Sequence, residues 1–245
     1  MKILFLFLLF ISQLLSNDKT VYFEKMGNHL IINNDNIFDI TIKINNDKVY
    51  RVKEKSMYIV ENFNEKKISY KWIIGDYYAI HDDNYIYNLP IPKNEPTLLT
   101  QGYNGKLSHK GKSQYALDFG LKEGTPIYSI REGKVVKVVN KIKKNCFKEK
   151  KSCPSNNIII KHEDNTYSKY SHLKYKGIIV KEGDTIKKNQ HIGFSGNTGY
   201  SSGPHLHMLV FKTKKEFTRE SIPIKFKTQK GIEHLKEQKI YIKSD

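Results

Sequence analysis

Gly203-Pro204-His205-Leu206-His207-Met208-Leu209-Val210-Phe211 reads as a turn feeding a strand: the Gly-Pro pair breaks what precedes it, and apolar residues run unbroken from Met208. Strand side chains alternate between faces, so His205 and His207 project from the same side, about 7 Å apart. Two imidazoles so placed can hold a metal ion, or one can bind while the other moves protons. The same spacing suits an exposed polar face, and nothing in it distinguishes one histidine from the other. Partners must come from elsewhere in the chain.

Tyr115-Ala116-Leu117-Asp118-Phe119 is a second short strand, with Tyr115, Leu117 and Phe119 on one face and Asp118 beside small Ala116 on the other. A carboxylate in such surroundings is costly to bury unless it is paired or metal-bound. Just upstream, Gly105 and Gly111 bracket a loop able to fold His109 back beside Asp118. His172 closes Tyr167-Ser168-Lys169-Tyr170-Ser171-His172-Leu173, and on a regular strand it shares a face with Tyr170. His109 and Asp118, joined by His207 of the opening pair, would make a His₂Asp site for Zn²⁺ with water in the fourth position. His172 and His205 would then be free to relay a proton and stabilise an oxyanion. Spacing alone does not decide which member of the pair binds metal. No His-Glu-x-x-His string occurs, so histidines take the general-base role, and the chemistry points to amide hydrolysis. His29, His81, His162, His191 and His234 read as surface or turn residues with no such role. The glycines from Gly193 to Gly203 supply turns, since no Lys-Ser/Thr follows them at phosphate-loop spacing.

The wider chain carries the same strand-and-turn pattern and predicts an all-β protein. Asp39-Ile40-Thr41-Ile42-Lys43-Ile44 alternates strictly, as a half-buried strand does, and Asn-rich clusters punctuate the region up to Tyr87. We read residues 17–88 as a small β-rich domain. Residues 89–100, with three prolines in Leu89-Pro90-Ile91-Pro92-Lys93-Asn94-Glu95-Pro96, read as a linker, and 101–245 as the domain that carries the histidines. Within it, Glu123-Gly124-Thr125-Pro126-Ile127-Tyr128 leads to Gly133-Lys134-Val135-Val136, and Glu182-Gly183-Asp184-Thr185-Ile186 leads to His191-Ile192-Gly193-Phe194. This faint duplication predicts a β-sandwich or barrel of two intertwined units.

Lys2, the apolar run Ile3 to Ile11 and the small residues beyond it read as a secretory signal peptide over residues 1–16. The expected location is therefore the periplasm, the cell envelope or the exterior. No Cys follows the apolar run, so no lipoprotein anchor is indicated. Export also makes a disulfide between Cys146 and Cys153 the simplest expectation, stapling a hairpin around a Lys-rich loop. Lysine and arginine exceed aspartate and glutamate by 42 to 25, a net charge of +17 that favours a polyanionic partner. No nucleic-acid-binding motif accompanies the charge, so an anionic envelope surface is the expected partner rather than nucleic acid. Export, and the lack of a Met-Lys-Met attachment turn, also argue against a cytosolic carrier protein built on a similar β fold.

These residues resemble the lysostaphin-type (LytM-like) zinc metallo-endopeptidases, which cut peptide cross-links in bacterial peptidoglycan. Ser108-His109-Lys110-Gly111 with Tyr115-Ala116-Leu117-Asp118-Phe119 looks like the family's first His…Asp motif, at longer spacing. Tyr170-Ser171-His172-Leu173 is similar to its Tyr-Ala-His-Leu, and Gly203-Pro204-His205-Leu206-His207 to its His-x-His motif. The resemblance implies His109, Asp118 and His207 as zinc ligands, His172 and His205 as catalytic residues, and a duplicated-hybrid-motif β fold. It implies a peptidoglycan endopeptidase; the alternative is a non-catalytic wall-binding or hydrolase-regulating module on the same fold. The cysteine-bracketed insertion departs from the family pattern.

Overall fold

Period-two alternation organises the amino-terminal strands. The computed structural model describes residues 20–45, 48–149 and 153–243, so the expected signal peptide lies outside the described residues. Among them there is no α-helix, only 3₁₀ turns at Gly111–Ser113 and Phe147–Glu149, and the all-β class holds. The chain divides into two compact units between Asp76 and Tyr77.

The first unit holds two three-stranded antiparallel sheets. One is made of β1 (Val21–Met26), β2 (His29–Asn34) and β5 (Ser56–Val60), the other of β3 (Ile40–Ile44), β4 (Lys48–Val52) and β6 (Tyr70–Ile74). Val21, Phe23, Leu30, Ile32, Ile40, Ile42 and Ile44 are buried, as the alternation requires. Thr41 is buried as well, against the half-buried reading of its strand, because β3 is the central strand and the Thr41 hydroxyl donates to the Gly75 carbonyl.

The second unit is built from β7 (Ile86–Tyr87), β8 (Thr97–Gln101), β9 (Leu117–Gly120), β10 (Pro126–Tyr128), β11 (Gly133–Val139), β12 (Asn156–Lys161) and β13 (Tyr167–Ile178). It continues through β14 (Thr185–Ile186), β15 (His191–Ser195), β16 (His205–Lys214), β17 (Thr218–Ile222), β18 (Lys225–Thr228), β19 (Gly231–Glu233) and β20 (Ile240–Tyr241). The main sheet runs β14-β11-β12-β13-β16-β9-β8-β20, with β10 on β15, β15 also on β13, and β17 on β16. Leu117, Phe119, Tyr170, Leu173, Leu206 and Met208 face a common core that also takes in Ile127, Ile130 and Ile192. The duplication seen in the sequence is realised as an exchange. β10 of the first half pairs with β15 of the second, and β14 of the second pairs with β11 of the first. The turns that enter the two exchanged strands are made by Gly124 at φ 89° and Gly183 at φ 96°, a backbone region that L side chains avoid.

Two boundaries differ from the sequence reading. Residues 77–88 belong to the second unit, where Tyr87 is fully buried and β7 pairs in parallel with β18. The proline-rich segment 89–100 is not a linker: Leu89 and Ile91 lie in the core of the second unit, and Thr97–Gln101 is strand β8. Prolines signal an exposed connection because they break ladders, yet they also bring no N–H that burial would orphan, so an extended strap of them can be buried. Cys146 and Cys153 are joined by a disulfide in the segment connecting β11 to β12.

Candidate metal centre

Strand register does most of the assembly. β9 and β16 run antiparallel with Asp118 directly opposite His207, while Leu117 faces Met208 and Phe119 faces Leu206. The odd-numbered residues of β9 and their partners fill the core, so Asp118 and His207 share the opposite face. The Asp118 carboxylate accepts from His207 Nδ1 at 2.8 Å. On the other side of β16, His207 lies opposite Ser171 of β13, so the pair sits mid-sheet rather than on an edge.

His109 arrives from the loop before β9 and is completely buried. Its Nδ1 donates to the Gly102 carbonyl at 2.7 Å, which leaves Nε2 without a proton in the neutral ring and directed at Asp118. Nε2 lies 3.2 Å from Asp118 Oδ2 but off hydrogen-bonding angle, so it is buried with no hydrogen-bond partner. Gln101 locks this loop to the sheet. Its Nε2 donates to Asp118 Oδ2 at 2.7 Å and to Ser108 Oγ at 2.9 Å, while its Oε1 accepts from the Leu107 and Ser108 amides. Gly105 permits the arrangement, because a Cβ there would sit 2.3 Å from Gln101 Cγ.

One ligand atom from each of His109, Asp118 and His207 lies within 4.8 Å of the others. A buried imidazole nitrogen with no hydrogen-bond partner, next to a carboxylate and a second imidazole, is a donor set that suits a divalent cation with mixed nitrogen and oxygen ligands. Burial pushes the Asp118 carboxyl up, but the His109 and His207 contacts outweigh it and hold it far below the usual carboxylate range. Burial pulls both imidazoles down. At His109 the contact with Asp118 reverses the shift, whereas His207, flanked by His109 and His205, stays below its ordinary value.

His172 and His205 stand beside this trio, with ring centroids 4.7 Å apart and that of His172 5.9 Å from His207. His205 follows from the alternation of β16. His172 does not. Tyr170 and Leu173 both face the core, which a regular strand forbids, and the register against β12 slips so that Ser171 and Leu173 oppose Asn157 and Asn156. His172 is the extra residue of this β-bulge, at φ 62°, and its side chain leaves the Tyr170 face expected from the sequence. His172 Nδ1 donates to the Thr198 carbonyl at 2.7 Å. His205 Nδ1 donates to the Gly203 carbonyl at 2.8 Å and approaches Ser201 Oγ at 3.1 Å. Both rings therefore keep Nε2 as the free nitrogen, and His205 Nε2 is 3.9 Å from Asp118 Oδ1. Burial, then the neighbouring His205, pushes His172 down to about 3, so it is a neutral imidazole at physiological pH.

All five residues singled out in the sequence are thus brought together. Gln101 was missed; its only signal is a polar side chain at an inward position of a strand that alternates buried and exposed. The carbonyls of Gly102, Thr198 and Gly203 leave no side-chain signature at all. The other histidines make separate contacts. His81 is no simple turn residue, since its ring is buried, stacks on Tyr87 and bonds both the Tyr87 hydroxyl and Asp83. His162, buried as well, donates to the Glu132 carbonyl.

The sequence profile described as peptidase family M23 matches residues 112–219. An uncharacterized metalloprotease of Buchnera aphidicola subsp. Baizongia pistaciae is 30% identical over 222 residues, which are 79% of this chain and 56% of that protein. The peptidoglycan DD-endopeptidase ShyB of Vibrio cholerae is 31% identical over 132 residues, covering 51% of this chain and 28% of its own length. This chain therefore spans about half, or less, of the curated relatives it matches. Among solved structures, the catalytic domain of lysostaphin from Staphylococcus simulans is 26% identical, covers 52% of this chain and 88% of its own, and superposes with a TM-score of 0.37.

Proposed function

Because residues 112–219 are a peptidase family M23 domain, we propose that this protein is an exported zinc endopeptidase that hydrolyses peptide bonds in the cross-links or stem peptides of bacterial peptidoglycan. The observation that carries the reading is the buried, unpartnered His109 Nε2 aimed at the Asp118–His207 pair, with two further imidazoles alongside. His109, Asp118 and His207 would hold the zinc, which when bound supplies Lewis acidity to the scissile carbonyl and to the attacking water. His172 and His205, their Nδ1 protons committed to backbone carbonyls, offer Nε2 to the substrate side. There they accept the proton of the water, return it to the departing amine and donate to the oxyanion once protonated. The relatives named as peptidoglycan endopeptidases support peptidoglycan as the substrate class. The +17 charge fits work at an anionic envelope surface, in the periplasm or outside the cell. The first unit would be an accessory domain.

Muropeptide digestion by the wild type and by His207→Ala tests this reading. The wild type with zinc should release cleaved stem or cross-link peptides, and the variant none. Equal products from both would overturn the metal assignment. Zinc binding by a wild type that releases no products would favour the wall-binding or regulatory module.

A further inference from the structure

The loop closed by Cys146 and Cys153 has no part in the mechanism above, yet it is bonded to the segment that carries the histidines' carbonyl acceptors. Asn145, one residue before the disulfide, donates its side-chain amide to the carbonyls of Asn197 and Ser201, both at 2.8 Å. These two acceptors bracket Thr198 and Gly199. The backbone adds two bonds between the same segments, Gly199 N to Lys144 O at 2.8 Å and Cys146 N to Gly199 O at 3.0 Å. The Phe147 and Tyr200 rings pack at 5.3 Å across the same seam. Gly199 is required here: its φ is 79°, and a Cβ would lie 2.7 Å from Ser155 Cβ.

What this seam fixes is the position of three acceptors. Thr198 O receives the His172 Nδ1 proton; Gly203 O and Ser201 Oγ receive that of His205. Residues 196–204 pair through the Gly196–His205 bridge and with Asn145 through Gly199, and the Thr198 hydroxyl, accepting from the Asn156 amide and donating to the Leu173 carbonyl, ties the same loop to the sheet. The Cys146–Cys153 bond closes the chain just beyond the residue that does the holding and limits how far Asn145 can drift from Gly199.

We propose that Asn145, backed by the Cys146–Cys153 disulfide, is a positioning residue for His172 and His205. It holds the loop from Asn197 to Gly203 at the height that aims both Nε2 atoms at the substrate side. This rests on the peptidase reading, but its structural part can be judged without activity. Misplacing catalytic groups by about 1 Å costs up to roughly a hundredfold in rate. Asn145→Ala should therefore lower kcat about ten- to a hundredfold, with KM and zinc content unchanged. Asn145→Asp keeps the shape and the acceptor for the Phe147 amide but has no protons to donate, so it should behave like the alanine variant. The paired Cys146→Ser, Cys153→Ser variant should show the same loss in milder form, and reduction of the wild type should reproduce it.

The experiment measures kcat, KM and zinc content on muropeptides alongside amide exchange at Gly199 and the imidazole Nδ1–H signals of His172 and His205 by NMR. Faster exchange at Gly199 and loss of both imidazole signals in Asn145→Asp, with zinc retained, is the expected result. Unchanged signals and exchange in Asn145→Asp overturn the proposal, as does kcat within twofold of an active wild type. A wild type inactive on every muropeptide, yet with signals that vanish in Asn145→Asp, would sink the peptidase reading and leave the positioning role standing. Should the Asn145 variants fail to fold, the serine pair and the reduced wild type decide on the same readouts.

Discussion

His207 Nδ1 sits 2.8 Å from Asp118 Oδ1 across a register pair of β9 and β16, and His109 Nε2 closes on the other carboxylate oxygen at 3.2 Å. The buried carboxylate is compensated by the Gln101 amide, which donates to Oδ2 at 2.7 Å, and by these imidazole contacts. Metal should replace them and stabilise the fold by mass action: free zinc at a thousand times its dissociation constant adds about 4 kcal/mol. We expect zinc to raise the melting temperature of the wild type and not of Asp118→Ala or His207→Ala. Calorimetric scans with and without chelator check this. An equal rise in all three would place the zinc elsewhere.

Gln101 joins the candidate metal site to the scaffold, because it bonds Asp118 with its nitrogen and the loop of His109 with its oxygen. Partners of this kind orient ligands and typically contribute about 10- to 100-fold in metal affinity. Gln101→Ala should weaken zinc binding by that factor, read by competition against a chromophoric chelator. Gly105→Ala should do likewise, since its Cβ would displace the Gln101 side chain. Wild-type affinity in both variants would show that the loop holds itself.

The core and the His–Asp pair were legible because strands write their geometry in period two. Once Leu117, Phe119, Leu206 and Met208 are assigned inward, Asp118 and His207 must face the other way together. Legibility failed where the backbone leaves the pattern. The bulge at His172 has no signature in Tyr170-Ser171-His172-Leu173, whose regular reading puts the imidazole beside a tyrosine that is in fact in the core. It failed again in the proline-rich strap, where a composition read as exposed is buried. Main-chain acceptors such as Thr198 O are invisible in any sequence because every residue has one.

His172 and His205 should be separable from the proposed metal ligands by what they leave intact. Neither ring is needed for the His109–Asp118–His207 cluster, so His172→Asn and His205→Asn should keep zinc bound. Asparagine is the suitable replacement at 172 because it tolerates the φ of 62° that the bulge imposes. Each variant should lower kcat by about 10² to 10⁴, the usual weight of a positioned acid or base. Zinc content by atomic absorption and turnover on muropeptides measure the two quantities separately. Loss of zinc together with activity in either variant would move that histidine into the ligand set.

Away from the site, a buried cluster sets the response to acid. His162 is held down to about 4 by burial, while Asp164, which accepts from the Thr166 hydroxyl at 2.6 Å and pairs with Arg131 at 2.6 Å, is lowered to about 2 against the same penalty of burial. Below its ordinary value of 6.5, the imidazole is protonated in the unfolded chain and neutral in the folded one, so the unfolded state binds the extra proton. Stability must therefore fall as pH drops from 6.5 towards 4, by at most about 1.4 kcal/mol per pH unit for this group. The carboxylate acts lower: its contribution is present above its ordinary value of 3.8 and is lost as pH falls through about 2. His162→Gln can keep the donor to Glu132 O, at 2.6 Å in the wild type, and cannot titrate. Its stability in urea should decline less steeply than the wild type's between pH 6.5 and 4, with the remaining slope due in part to His172. Parallel curves for the two proteins across that window would mean that His162 is protonated in the fold and that its buried Nε2 has found a partner.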